Sequence, residues 1–155
     1  MDKGSLKTTL REATKNDLAA CMIVRGKTRD NAISVAYLNS IGVTEESWAA
    51  MMDSGQIFGS VVTHDHAVVG FCYADVTTRE ILVLAVLADY DGQRIGKALL
   101  QEVSTRLFDL GPKPIWLATA AEPIFRAYGF YRHLGWRPTG QFDANGDEIL
   151  EFRKA

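Results

Sequence analysis

The chain has 155 residues, 47% hydrophobic and 23% charged, with a formal net charge of −2. That length and balance predict one soluble globular domain with its own core, needing no disulfide or metal staple. They exclude a basic nucleic-acid footprint, and the apolar runs are interrupted too soon for a membrane span.

Met1 to Lys7 is polar, so no secretory leader is expected. Leu6 to Glu12 reads as an opening strand. Thr14-Lys15-Asn16-Asp17 offers an N-cap and an acid in the first turn, starting a helix that carries Leu18, Cys21, Met22 and Arg25. Asp30 to Ser54 has a broken helical pattern with a second start at Thr44-Glu45-Glu46 after Gly42, which predicts two short helices. Gln56 to Thr63 and Ala67 to Thr77 form a hairpin around the polar turn His64-Asp65-His66. Ile81 to Leu87 is an apolar strand. After it, Ile95, Leu99, Val103, Leu107 and Leu110 make a one-sided helical stripe that stops at Gly111-Pro112.

Ile115 to Thr119 is a short buried strand, parallel to the earlier one through a right-handed crossover. A helix over about Pro123 to Leu134 follows, then a hairpin of Trp136 to Phe142 and Glu148 to Arg153 turned by residues 143–147. Nothing in this order suggests a linker or repeat, so residues 1–155 read as one domain.

The stretch from Glu80 to Leu100, EILVLAVLADYDGQRIGKALL, carries the chemistry. A strand that feeds directly into a helix start leaves unpaired backbone N–H groups converging on one spot. Orphan donors and helix dipole together favour an anion there. Gly92 and Gly96 lie at the junction with Arg94 and Lys97 beside them, which suits the pyrophosphate of a nucleotide-like cofactor.

These residues resemble the central motif of the GNAT N-acetyltransferases, where an Arg/Gln-x-x-Gly-x-Gly/Ala turn wraps the pyrophosphate of acetyl-CoA. One alignment matches Tyr90, Ile95, Gly96, Ala98, Leu99 and Leu100, and sets Asp91 and Arg94 where Arg/Gln and the first Gly are usual. The other reads Gln93-x-x-Gly96-x-Ala98 and lies two residues further into the helix. The first keeps the spacing from the strand and is preferred. A second segment, Ala127 to Trp136, is similar to the family's A-x-x-F-Y-x-x-x-G-F/W segment, with Ile124 where an Asn is common. The two motifs stand in the family's order and span roughly residues 67–153.

The resemblance implies an α/β fold with a mixed, mostly antiparallel central sheet flanked by helices on both faces. It implies direct transfer of an acetyl group from acetyl-CoA, as co-substrate and without a metal, to a primary amine. Tyr131 would be the general acid and Glu80, in a Glu-Ile-x-x-x-Ala-Val segment, the base. Leu84, Ala85, Val86, Gly92, Gln93, Arg94, Ile95, Gly96 and Lys97 would hold the donor, with the N–H groups of Leu84 and Val86 on the thioester carbonyl and pantetheine arm. The acceptor stays open among small molecules, peptide N-termini and lysines, and a homodimer stays open as well. The alternative is a non-catalytic acyl-CoA-binding or sensing module. A toxin acetylating aminoacyl-tRNA is disfavoured by the acidic balance.

Asp91 poses an electrostatic question. Two like charges ~6 Å apart at an effective dielectric of about 20 repel by roughly 3 kcal/mol. Asp91 is therefore expected to turn away from the pyrophosphate and cap the N–H of Arg94.

Other constellations read as structural. His64 and His66 lack further ligands at a metal spacing and belong to a solvated turn. Cys21 and Cys72 have no CxxC partner and read as small buried residues in a reducing, cytoplasmic compartment. No serine sits in a nucleophile elbow. Trp48, Trp116, Phe125, Phe130 and Trp136 read as core or pocket wall, and Asp30, Glu45, Glu46 and Asp53 as exposed helix faces.

Overall fold

The computed structural model describes residues 8–30 and 32–154. Strand β1 (Thr8–Glu12) is followed by a 3-10 turn at Lys15–Asp17 and helices α1 (Leu18–Arg25), α2 (Val35–Ser40) and α3 (Glu45–Asp53). Then come β2 (Ile57–His64), β3 (Ala67–Asp75), β4 (Ile81–Val86), α4 (Ile95–Asp109), β5 (Ile115–Thr119), α5 (Arg126–His133), β6 (Arg137–Phe142) and β7 (Glu148–Phe152). Residues 6 and 7 of the expected opening strand lie outside the described residues.

Strands β1 to β4 pair in sequence order, every neighbour antiparallel. The period-two alternation of β2 and β3 splits their side chains between two cores. Val62, Cys72 and Ala74 face α4, where they meet Leu99, Val103 and Leu107. Val61, Phe71 and Tyr73 face α1, where they meet Leu18, Cys21 and Val24. Each fully buried aliphatic of this kind contributes roughly 1.5–3 kcal/mol, so the two faces hold the sheet between the helices. Gly70 lets α4 approach β3, since a Cβ there would lie 3.1 Å from Ile95 Cγ2 and 3.2 Å from Leu99 Cδ1. The buried stripe on α4 ends at Leu107 and does not reach Leu110, which is 60% exposed.

Arg79 closes the far end of α4. Its guanidinium donates to the carbonyls of Gly111 (2.8 Å) and Lys113 (2.7 Å), satisfying acceptors just past the helix end. Arg11 grips Asp17 with two 2.8 Å bonds, and Asp17 also accepts the Thr14 N–H. That knot anchors the entry to α1.

The remaining strands form a second sheet in the order β5-β7-β6. One parallel bridge, Glu80 to Trp116, joins it to the first sheet. The expected parallel relation of β4 and β5 therefore exists only at their starts, where Trp116 N–H also reaches the Arg79 carbonyl. Beyond that point the strands part. Helix α5 begins at Arg126, three residues after the position expected from sequence, and Ile124 before it is 85% exposed. Both segments of α2 and α3 form as anticipated, capped by Ser34 and Thr44.

Candidate active site

The parting of β4 from β5 opens a cleft of about 1130 Å³ between the two sheets. One wall is the free edge of β4. Leu87 N–H bonds the Val69 carbonyl on β3, and successive N–H groups of a strand alternate between its edges. Val86 and Leu84 therefore aim their N–H groups at the open edge, into the cleft. A bulge opposite Tyr73 and Ala74 precedes this stretch, and register is regular from Val83 to Val86. This register leaves the Leu84 and Val86 N–H groups on the side of β4 away from β3.

Past β4, a 3-10 turn at Ala88–Tyr90 leads to Gly92 and Arg94. Gly92 has φ +81, which its missing Cβ permits without strain. Arg94 has φ 64 and ψ 17, a left-handed backbone that costs a branched or long side chain about 1 kcal/mol and favours glycine. This fits the alignment that sets the family's first glycine at Arg94. Arg94 is the N-cap residue of α4 and its side chain makes no cap bond, so the first N–H groups of the helix are left to the cleft. Gly96 in the first turn packs against Phe130 of α5 at 3.5 Å from its ideal Cβ. Of the nine residues expected to hold the donor, eight line the cleft, and Gln93 does not.

Asp91 does not cap Arg94. Its Oδ2 accepts from Arg29 Nε at 2.7 Å and from Arg126 Nη1 at 2.6 Å. The carboxylate is paired with two cations rather than with a backbone donor.

Tyr131 stands on α5 across the cleft, held edge-on between Phe130 (5.1 Å) and Trp136 (6.0 Å). Only 8% of it is exposed. Burial pushes its phenol well above the usual value, Cys72 adds to the effect and Arg25 opposes it. The hydroxyl therefore keeps its proton throughout the neutral range. Arg25, at the last turn of α1, is half-buried in the same cleft and its guanidinium is pulled below its ordinary value by burial, with Tyr131 acting the other way.

Glu80 has a carboxyl raised by burial and by Asp75 and Asp143. It sits where the two sheets meet and is not among the residues lining the cleft. Asp147, from the β6–β7 turn, does line the cleft and is likewise raised, by burial and then by Asp143 and Glu122. The structure thus brings Tyr131 together with the β4 edge and the α4 turn, and leaves Glu80 at the closed end of the gap.

Leu18, Met22, Leu38, Trp48 and Tyr73 wall the part of the cleft under α1 to α3. Sequence reasoning missed Asp147, Arg29 and Arg126, because lone charges beside turns carry no periodic or motif signal. Asp30 is exposed, as read, and in addition accepts the Arg126 N–H at the start of α5 at 3.1 Å. His64 is less solvated than a bare turn residue would be: its Nδ1 meets the Tyr90 hydroxyl. No cluster of three metal-ligating side chains occurs among the described residues.

A family model described as an acetyltransferase (GNAT) domain matches residues 53–138. No curated protein sequence matches the chain. Among solved structures, PaiA N-acetyltransferase from Thermoplasma acidophilum, in complex with coenzyme A, superposes with a TM-score of 0.80 at 20% identity over 96% of this chain and 100% of that one. The ribosomal-protein-S18-alanine N-acetyltransferase from Escherichia coli gives 0.67 at 20% over 94% and 93%. Ard1 from Thermoplasma volcanium gives 0.66 at 17% over 93% and 94%. At such identities these likenesses carry the fold.

Proposed function

The chain belongs to the acetyltransferase (GNAT) family, and from that premise we propose that it transfers an acetyl group from acetyl-CoA directly to a primary amine. The observation that carries this reading is the pairing of a free β4 edge, with Leu84 and Val86 N–H groups aimed inward, and an uncapped α4 N-terminus a turn away. The first suits an acyl carbonyl and the amides of a pantetheine arm, the second a pyrophosphate.

Acetyl-CoA supplies a thioester whose sulfur leaves as a thiolate of intrinsic pKa about 8.5. Tyr131 gives that sulfur its proton. Its raised pKa guarantees the proton is present and reduces the driving force for giving it up, and the charge of Arg25 partly restores that force. The amine must arrive neutral, and a lysine-like amine is only about one part in 2500 neutral at pH 7. Glu80 takes that proton through intervening water, a role its raised carboxyl supports. Asp147 is the second reading for the base, favoured by its direct place in the cleft. The acceptor is a small molecule or a peptide amine. The free, buried Cys21 and Cys72 go with a reducing, cytoplasmic location. Among the described residues no helix is long and apolar enough to cross a membrane.

A thiol-release assay on acetyl-CoA over a panel of amines tests the proposal. Amine-dependent release is expected. Tight acetyl-CoA binding with no release for any amine would make the chain an acyl-CoA sensor instead.

A further inference from the structure

The mouth of the cleft beside Gly92 is lined by Arg29, Asp91 and Arg126. Three separate elements meet there: the α1–α2 loop, the turn before α4 and the first residue of α5. Both guanidiniums share one carboxylate oxygen, at 2.7 and 2.6 Å. We propose that Arg29 and Arg126 are phosphate-binding residues of the donor site, supplied from outside the glycine turn and held over it by Asp91. The proposal rests on the reading that the donor is a CoA thioester.

The charge arithmetic favours it. Two guanidiniums and one carboxylate carry a net charge of about +1, so the cluster attracts a phosphate even though Asp91 alone would repel one. Donor capacity remains as well. A guanidinium has five N–H groups, and the contacts to Asp91 use one nitrogen on each arginine. The arginine side chains are 55% and 54% exposed, whereas Asp91 is 21% exposed. The unused N–H groups are therefore open to solvent at the mouth, and the planar fork they form matches phosphate oxygens.

Position is the third argument. Arg126 is fixed at both ends, its backbone N–H by Asp30 and its guanidinium by Asp91. Arg29 adjoins Asp30, so one loop contributes both a cation and the cap that seats the other cation. Side chains already held this way lose little rotamer freedom when a ligand arrives. In this arrangement Asp91 is a positioning residue. It stands where the family usually has Arg or Gln, and the positive charge that position would bring comes from two residues remote in sequence.

The experiment compares arginine variants in two backgrounds by calorimetry with CoA, and by competition with phosphate-free S-acetylpantetheine. Arg29→Ala and Arg126→Ala should each weaken CoA binding about tenfold in the wild type, and by a smaller but still measurable factor alongside Asp91→Asn, which no longer holds them, and leave S-acetylpantetheine unaffected. If the loss vanishes alongside Asp91→Asn, the arginines only neutralise Asp91 and the proposal fails. An equal loss for S-acetylpantetheine makes their role structural and also overturns it. Failure of the wild type to bind CoA is a different result, which removes the donor reading itself.

Discussion

At the donor end of the cleft the groups aimed inward are mostly backbone, namely the N–H groups of Leu84 and Val86 and the first turn of α4. At the acceptor end, under α1 to α3, the wall is side chains: Leu18, Met22, Trp48, Tyr73 and the half-buried Arg25. Backbone groups are placed by strand register and helix start, and they tolerate many sequences. Side-chain walls change with every substitution. The comparison teaches why a proposed donor site can be traced along the backbone while nothing in the side-chain wall singles out an acceptor.

The sharpest way to separate the two ends is to alter the chemistry while leaving the backbone untouched. Tyr131→Phe keeps the ring between Phe130 and Trp136 and removes the proton donor. Its kcat should fall roughly 100-fold, within the usual range for general acid catalysis. Steady-state kinetics and calorimetry should find acetyl-CoA affinity nearly unchanged. Equal kcat values would retire Tyr131 as the acid.

Loosening the acceptor wall from a distance has the next largest effect. Arg11 holds the Asp17 carboxyl below the usual carboxylate range, against the opposing pull of burial. A depressed folded-state pKa stabilises the fold above the unfolded value near 3.9, and that stabilisation is lost as pH falls through the folded value. Asp17→Asn should therefore cost about 2 kcal/mol in denaturant unfolding at neutral pH, since it leaves Arg11 and the Thr14 N–H without their acceptor. The gap to the wild type should close below about pH 4. A gap independent of pH would show that packing, rather than charge, is what Asp17 supplies.

The base distinguishes the two ends more finely. Glu80→Gln should lower kcat/KM about tenfold at neutral pH and recover as rising pH deprotonates the amine in solution. Asp147→Asn, at a residue facing the cleft, is the control. A pH-dependent loss in Asp147→Asn with none in Glu80→Gln would transfer the role.

How far the sequence could be read follows the same division. The β2–β3 hairpin, the stripe of α4 as far as Leu107 and the turn at Gly92 are local patterns, and each formed close to where its pattern or spacing put it. The mouth of the cleft was not legible. Asp91 could be seen to need a partner, yet its partners Arg29 and Arg126 are 62 and 35 positions away, and nothing local marks them. The splitting of the sheet after Glu80 was equally hidden, because a strand that pairs at one bridge has the same apolar pattern as one that pairs throughout. Arg94 is the instructive exception. A long side chain in a left-handed backbone contradicts local preference, which points to a position set by the turn rather than by the residue.

The central claim is that the donor is held by the β4 edge and the α4 start. Titrating CoA into ¹⁵N-labelled protein and following its amide resonances tests it most directly. The account predicts the largest shifts at Leu84, Val86, Gly96 and Lys97, with Ala85, whose N–H faces β3, moving much less. Shifts at Ala85 as large as those at its two neighbours, or shifts confined to other parts of the molecule, would contradict it.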